Sequence, residues 1–143
     1  MFHNVLIALD LNHDESWRKA LPVALDICRQ HGATLHAVTV IPDLHMPMVA
    51  SYFPADFTSK LAESTRERLA GFVRSHVPDT VQCTHAVASG GTIYEQILRY
   101  ADGHGVDLIV IEAYRPDFKD FLLGSNAEKV VRHARQSVLV VRG

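Results

Sequence analysis

The sequence is poor in cysteine, carries almost no net charge and contains no long apolar run. Its two cysteines form no CxxC pair, which excludes a zinc ribbon and a disulfide framework. The net charge of −2 argues against a protein that holds nucleic acid by bulk charge. No apolar stretch approaches the roughly 18 residues of a membrane helix, and no basic region marks a signal peptide. We therefore expect a cytoplasmic protein whose partners include neither nucleic acid nor a membrane.

Motifs of metal-dependent and hydrolytic enzymes are also missing. The nine histidines include no pair four residues apart on one predicted helix, as a zinc site often has. There is no complete P-loop, no G-x-S-x-G turn and no HExxH motif. The sequence therefore predicts no metal site and no catalytic residue.

What is present is an alternation of apolar runs and amphipathic segments over a single domain of 143 residues. The short apolar runs predict β-strands at residues 4–9, 35–41, 107–111 and 138–141. Residues 81–88 alternate more between apolar and polar side chains, which predicts an edge strand. The four segments between them carry apolar residues at helical spacing. The four stripes begin at Trp17, Phe57, Ile93 and Ala127.

The first predicted helix has candidate residues for both of its ends. Asn12 or Asp14 is placed to cap its start, and Gly32 is placed to end it. Pro22 falls within the apolar stripe. We expect it to kink the helix, because a proline ring clashes with the carbonyl four residues earlier.

The order of elements, β-α-β-α-β-α-β-α-β, predicts an α/β fold with right-handed crossovers and an open parallel sheet covered by helices on both faces. The segment of residues 42–56, which contains three prolines, is too long for a tight turn. Its apolar side chains predict either a cover over the sheet or a surface for an unknown protein partner or for oligomer formation.

Ligands of open parallel sheets bind beyond the carboxyl ends of the strands. Gly124 and Ser125 open the last predicted helix, where unpaired N–H groups and the positive end of the helix dipole favour a phosphate. Asn126 follows them, and Arg115 on the facing loop is a candidate cation. The same stretch also fits a capping box, with Ser125 as the cap and Glu128 at the third helical position. Both interpretations stay open.

Acidic residues follow or end two of the predicted strands. Asp10 is placed to accept a hydrogen bond from an adenine amino group or a ribose hydroxyl, or to cap the following loop or helix. Glu112 is placed to bind a ribose hydroxyl, but it fits equally well a charge that repels phosphate or one that faces solvent. Gly91 is predicted to allow a tight turn before the third helix.

Taken in order, these segments resemble the universal stress protein family. The similarity is carried by V-L-I-A-L-D at the start, T-V-I-P after strand two, V-D-L-I-V at strand four, and R-P-D-F-K-D-F-L-L-G-S-N-A-E-K-V-V-R-H-A and S-V-L-V-V-R towards the end. It extends from Asn4 to Arg142. It looks most like the nucleotide-binding branch, in particular the bacterial group with a histidine-arginine-proline turn followed by L-L-G-S-N.

The resemblance implies a five-stranded sheet in the order 3-2-1-4-5, as in adenine nucleotide alpha hydrolase-like folds, and a homodimer through the last strand, from Val138 to Val141. It also implies that adenine contacts Asp10 and the backbone at Val40. With the residues argued above, the candidate nucleotide-binding set is Ala8, Leu9, Asp10, Val40, Gly91, Glu112, Arg115, Gly124, Ser125 and Asn126.

The sequence departs from the family pattern in the phosphate loop, which has the form G-x-x-G, nine residues, then G-S or G-T. Gly124-Ser125 is intact, whereas Glu112 and Arg115 stand at the two earlier glycines. Eight residues intervene instead of nine, and Tyr114 replaces the histidine of the bacterial group. Arginine can clamp phosphate oxygens directly, which compensates for a lost backbone contact.

The resemblance therefore implies a stress-response sensor or adaptor that binds ATP, ADP or AMP, with Mg²⁺ bridging the phosphates. Two alternatives stay open. One is a dimeric adaptor that has lost nucleotide binding, and the other is a switch that hydrolyses ATP slowly.

Overall fold

The strands and helices follow one another as the sequence predicts. The computed structural model describes residues 1–41, 57–113 and 124–142. The predicted cover or partner surface at residues 42–56 lies outside the described residues, as do Tyr114 and Arg115. The elements are β1 (Asn4–Leu9), a 3₁₀ turn (Asp14–Ser16), α1 (Ala20–His31), β2 (Thr34–Val40), α2 (Phe57–His76), β3 (Cys83–Ala88), α3 (Ile93–Gly103), β4 (Leu108–Glu112), α4 (Gly124–His133) and β5 (Ser137–Val141).

The five strands form one sheet in the order β3-β2-β1-β4-β5, and every neighbouring pair is parallel. This confirms the predicted α/β class and strand order. In the central strand, Val5 lies opposite Leu35 on one side and Leu108 on the other. The Asp107 carboxylate accepts hydrogen bonds from the backbone of His3 and Asn4, at 2.8 and 3.1 Å. These bonds hold the starts of β1 and β4 side by side.

Alternate residues of the strands enter two separate apolar cores, as the two-residue period of a strand requires. Val5 and Ile7 pack with α1 and α2 on one face. Leu6 and Ala8 pack with α3 and α4 on the other face. Leu6 and Ile7 are fully buried, and each such side chain contributes about 1.5–3 kcal/mol. A central strand that is apolar on both faces is typical of a sheet sandwiched between two helical layers.

The first helix begins later than predicted, and this removes the reason to expect a kink at Pro22. Its first residue is Ala20, whereas Asp14 opens the separate 3₁₀ turn and caps nothing in α1. Pro22 therefore lies in the first turn, where backbone N–H groups have no partner within the helix and a missing N–H costs nothing. The predicted end is confirmed, since Gly32 follows α1 with a φ of 63° and donates its N–H to the carbonyl of Cys28.

No helix within residues 1–41, 57–113 and 124–142 is both long enough and apolar enough to cross a membrane.

Candidate functional site

A cavity of about 130 Å³ opens over the carboxyl ends of β1 and β2, at the edge of a parallel sheet where ligands bind. Four residues of the candidate nucleotide-binding set, Ala8, Leu9, Asp10 and Val40, line it. Its other residues come from the β1–α1 loop, from the end of β2 and from two helices that lie on opposite faces of the sheet. These other lining residues are Leu11, Asn12, Thr39, Ile41, Leu61, Thr65, Arg68, Ile93 and Ile97.

Asp10 lines this cavity and, within the part of the chain that the structure describes, has one carboxylate oxygen without a hydrogen-bond partner. The residue is 9% exposed, and its Oδ1 accepts a hydrogen bond of 3.0 Å from the backbone N–H of Asn12. Its buried Oδ2 has no hydrogen-bond partner among the residues that the structure describes. Nε2 of His13 lies 4.0 Å from Oδ2, which is beyond hydrogen-bond distance. One carboxylate oxygen of Asp10 therefore stabilises the β1–α1 loop, and the other has no donor among the described residues.

Ser16 holds the backbone of Asp10 in place. Its Oγ accepts the N–H of Asp10 at 3.0 Å and donates to the carbonyl of His13 at 2.7 Å. The side chain is fully buried, so its hydrogen bonds do not compete with water. The position of the Asp10 carboxylate thus depends on a residue that lies six positions later in the chain.

Glu112 has a different partner from those considered in the sequence analysis. The prediction that it could face solvent is wrong, because it is 6% exposed. Its Oε2 accepts hydrogen bonds from the backbone N–H groups of Lys19 and Ala20, both at 3.0 Å. These are donors at the start of α1, which no helical carbonyl can satisfy. Glu112 therefore stabilises the first turn of α1 in the way a capping carboxylate does.

The start of α4 is where the candidate phosphate residues fall. The helix begins at Gly124, and the backbone of Ser125 belongs to its first turn; the side chain of Ser125 lies outside the described residues. Asn126 is 8% exposed, and its Oδ1 accepts a hydrogen bond of 3.1 Å from the backbone N–H of Tyr94. Asn126 thus links α4 to the first turn of α3.

Gly90 and Gly91 have different roles in the turn before α3. Gly90 adopts the left-handed backbone, with a φ of 94°. Gly91 instead avoids a steric clash, because a Cβ built on it would lie 2.4 Å from the side-chain nitrogen of Gln96. Gln96 is 4% exposed. Its Nε2 is a second buried polar atom without a hydrogen-bond partner in the described part of the chain.

Two residues of the site escape prediction from sequence. Arg68 lies on the exposed side of α2, and in the sequence it looks like any solvated helical cation. Ser16 follows two acidic residues in a short polar stretch that carries no motif. Only the tertiary structure shows that both contact the loop after β1.

Among the described residues there is no group of three or more histidine, cysteine, aspartate or glutamate side chains that could hold a metal ion.

A doubly wound sheet with a partly apolar cavity at the carboxyl ends of its strands defines a class of α/β proteins that bind small ligands there. The sequence matches the universal stress protein family over residues 1–142. The chain belongs to that family.

Individual relatives agree with this assignment. Universal stress protein G of Escherichia coli O157:H7 is 30% identical over 145 residues, and the match covers 99% of this chain and all of the relative. The universal stress protein of Archaeoglobus fulgidus in complex with dAMP has a TM-score of 0.65 at 18% identity and covers 97% of both chains. A universal stress protein in complex with cAMP has a TM-score of 0.60 at 20% identity, covering 99% of this chain and 97% of that one.

Proposed function

We propose that this protein binds an adenine nucleotide, ATP, ADP or AMP, at the cavity beside Asp10 and acts as a stress-response sensor or adaptor in the cytoplasm. The observation that carries the proposal is the unpartnered Oδ2 of Asp10. Two structurally similar proteins hold dAMP and cAMP, which supports an adenine ligand.

The chemistry of the cavity fits an adenine ring. A buried carboxylate oxygen without a donor is unfavourable by about 1–3 kcal/mol or more, because it loses its hydrogen bonds to water and gains none from the protein. The exocyclic amino group of adenine is such a donor. The aliphatic side chains of Val40, Ile93 and Ile97 line the same cavity and suit the apolar faces of the ring. Apolar walls with a few polar side chains are the usual composition of a small-molecule site.

The phosphates belong at the start of α4 in this proposal. The first backbone N–H groups of that helix, at Gly124 and Ser125, have no acceptor within the helix, and its dipole favours an anion there. Mg²⁺ would accompany a di- or triphosphate by bridging its oxygens. Glu112, which directs one carboxylate oxygen to α1, is a negative charge at the same end of the sheet. It favours a ligand with fewer phosphates.

The test is a binding measurement on the purified protein. Nucleotide released by denaturation is identified by chromatography, and AMP, ADP and ATP are titrated by calorimetry with and without Mg²⁺. The Asp10→Asn variant should bind AMP roughly 10-fold or more weakly, since a hydrogen bond to a charged acceptor contributes about 1.5–3 kcal/mol. Asp79→Asn, an exposed aspartate remote from the cavity, serves as the matched control and should bind like the wild type.

Two results would contradict the proposal. The first is the absence of released nucleotide together with no binding at millimolar concentrations. The second is equal affinity of the wild type and Asp10→Asn for AMP.

The proposed adaptor role includes a homodimer through β5. This strand lies at the edge of the sheet, next to β4 alone, so one row of its backbone groups is free for pairing. Leu139 at its centre is 36% exposed, and Val131 on α4 is 51% exposed. An edge strand that carries an exposed leucine favours pairing with a second copy.

A further inference from the structure

We infer that Arg68 is a ligand-contacting residue, whose guanidinium covers one face of the base that binds at Asp10. The inference rests on the proposed function and adds to it a residue that sets affinity for the planar ring. Arg68 lines the same cavity as Asp10. It belongs to α2, an element outside the candidate nucleotide-binding set.

The connection between the two residues is short. Nη2 of Arg68 donates to Oδ1 of Asn12 at 3.2 Å and to the carbonyl of Leu11 at 3.2 Å. The backbone N–H of Asn12 in turn donates to Oδ1 of Asp10. A single residue therefore separates the guanidinium from the carboxylate, and a ring bound to Oδ2 of Asp10 lies within reach of Arg68.

Arg68 is held by neutral acceptors. Within the described ranges it forms no ion pair, and both of its hydrogen bonds use the same nitrogen, Nη2. Its positive charge is not neutralised there, and most of its donors and its flat face remain available. A guanidinium in this state stacks well on an aromatic ring, because it is planar, delocalised and weakly hydrated.

The layers of the fold decide which part of the ring Arg68 meets. Helix α2 packs on one face of the sheet and α3 on the other, and the cavity lies between them at the strand ends. Asp10, at the end of β1, takes the edge of the ring. The two faces of the ring are then turned towards the two helices, with Ile93 and Ile97 on one side and Arg68 on the other.

The experiment compares three ligands: AMP, adenosine, which lacks the phosphate, and purine riboside, which also lacks the amino group. Affinities are measured by calorimetry for the wild type, Arg68→Ala and Arg68→Lys. Stacking predicts that Arg68→Ala weakens all three ligands by the same factor, about 5- to 30-fold. Arg68→Lys should recover only part of the loss, because an ammonium group is compact and strongly hydrated.

Arg66→Ala is the matched control, since Arg66 is exposed on the same helix and does not line the cavity. It should bind all three ligands as the wild type does. Thermal unfolding of each variant separates a loss of affinity from a loss of folding.

Other outcomes overturn the inference in distinguishable ways. A loss confined to AMP would place Arg68 on the phosphate. A loss for adenosine but not for purine riboside would mean that Arg68 only positions Asn12 and Asp10. Unchanged affinities in Arg68→Ala would remove Arg68 from the site and leave the proposed function standing. If the wild type binds neither AMP nor adenosine, the proposed function itself fails.

Discussion

The carboxylate of Glu112, at the end of β4, lies 3.0 Å from the backbone nitrogen of Ala20, 92 residues earlier in the chain. It makes a second bond of the same length to Lys19. One side chain therefore satisfies two N–H groups at the start of α1 and joins that helix to the central part of the sheet.

We predict that Glu112→Ala destabilises the protein by about 1.5–3 kcal/mol, because two N–H groups lose a charged acceptor. Glu112→Gln keeps one acceptor oxygen and should lose less, about 1 kcal/mol. Chemical denaturation with urea measures both changes. The control is Glu63→Gln on the exposed side of α2, for which no change is expected. Equal stability of Glu112→Ala and the wild type would contradict the capping role.

Ser16 provides a second test of the loop after β1. Ser16→Ala leaves the buried N–H of Asp10 without its acceptor, so we expect a loss of about 1–3 kcal/mol in the free energy of unfolding. Because the Asp10 carboxylate then loses its fixed position, affinity for AMP should fall as well. Ser75→Ala, an exposed serine of α2, should change neither quantity. A variant at Ser16 with normal AMP affinity would show that this bond does not position Asp10.

His36 makes the stability of the folded protein depend on pH. It is 7% exposed, with Nδ1 2.9 Å from the hydroxyl of Tyr100 and 3.2 Å from that of Thr84, and with Nε2 2.9 Å from Oδ1 of Asn4. Burial lowers the pKa of His36, and the neighbouring His104 lowers it further. Below the ordinary pKa of about 6.5 the unfolded chain takes up a proton that folded His36 does not accept. Stability therefore falls as the pH decreases from that value towards the lowered pKa of the folded state.

Thermal unfolding between pH 8 and pH 5 measures this dependence, and His36→Gln should have a flatter profile than the wild type. His85→Gln, at an exposed position of β3, should keep the wild-type slope. If the profile of His36→Gln is as steep as that of the wild type, the acid sensitivity comes from other groups.

The proposed dimer can be tested at Leu139. We expect Leu139→Lys to weaken self-association by about 10-fold or more, since a charge on an edge strand opposes pairing with another strand. Sedimentation analysis over a range of protein concentrations gives the dissociation constant. His85→Lys places the same charge on β3, at the opposite edge of the sheet, and should leave association unchanged. A wild type that sediments as a monomer at high concentration would refute the dimer.

The architecture is largely readable from the sequence because the three inner strands, β1, β2 and β4, are buried on both faces and each helix has one apolar stripe. The strand from Asn4 to Leu9, for example, is almost uniformly aliphatic, which is the pattern of a central parallel strand. The order of strands is implied by the resemblance. The predicted start of α1 is wrong, since the side chain that stabilises the actual start comes from β4 and local capping rules do not reach that far.

The part of the candidate site that depends on strand topology is predictable from the sequence. The part that depends on contacts between side chains of distant elements is not. Asp10 follows a strand at the switch point, so topology alone points to it. The role of Glu112 depends on a helix start that is distant in sequence. Arg68 gives no local signal, because only the packing of α2 beside the β1–α1 loop brings it to the cavity.

The bond between Asn126 and the backbone of Tyr94 has a mechanical consequence. It fastens the first turn of α4 to the first turn of α3, and the two helices pack in one layer on the same face of the sheet. A displacement of either first turn would strain this bond, so the movements of the two helices at the strand ends are coupled.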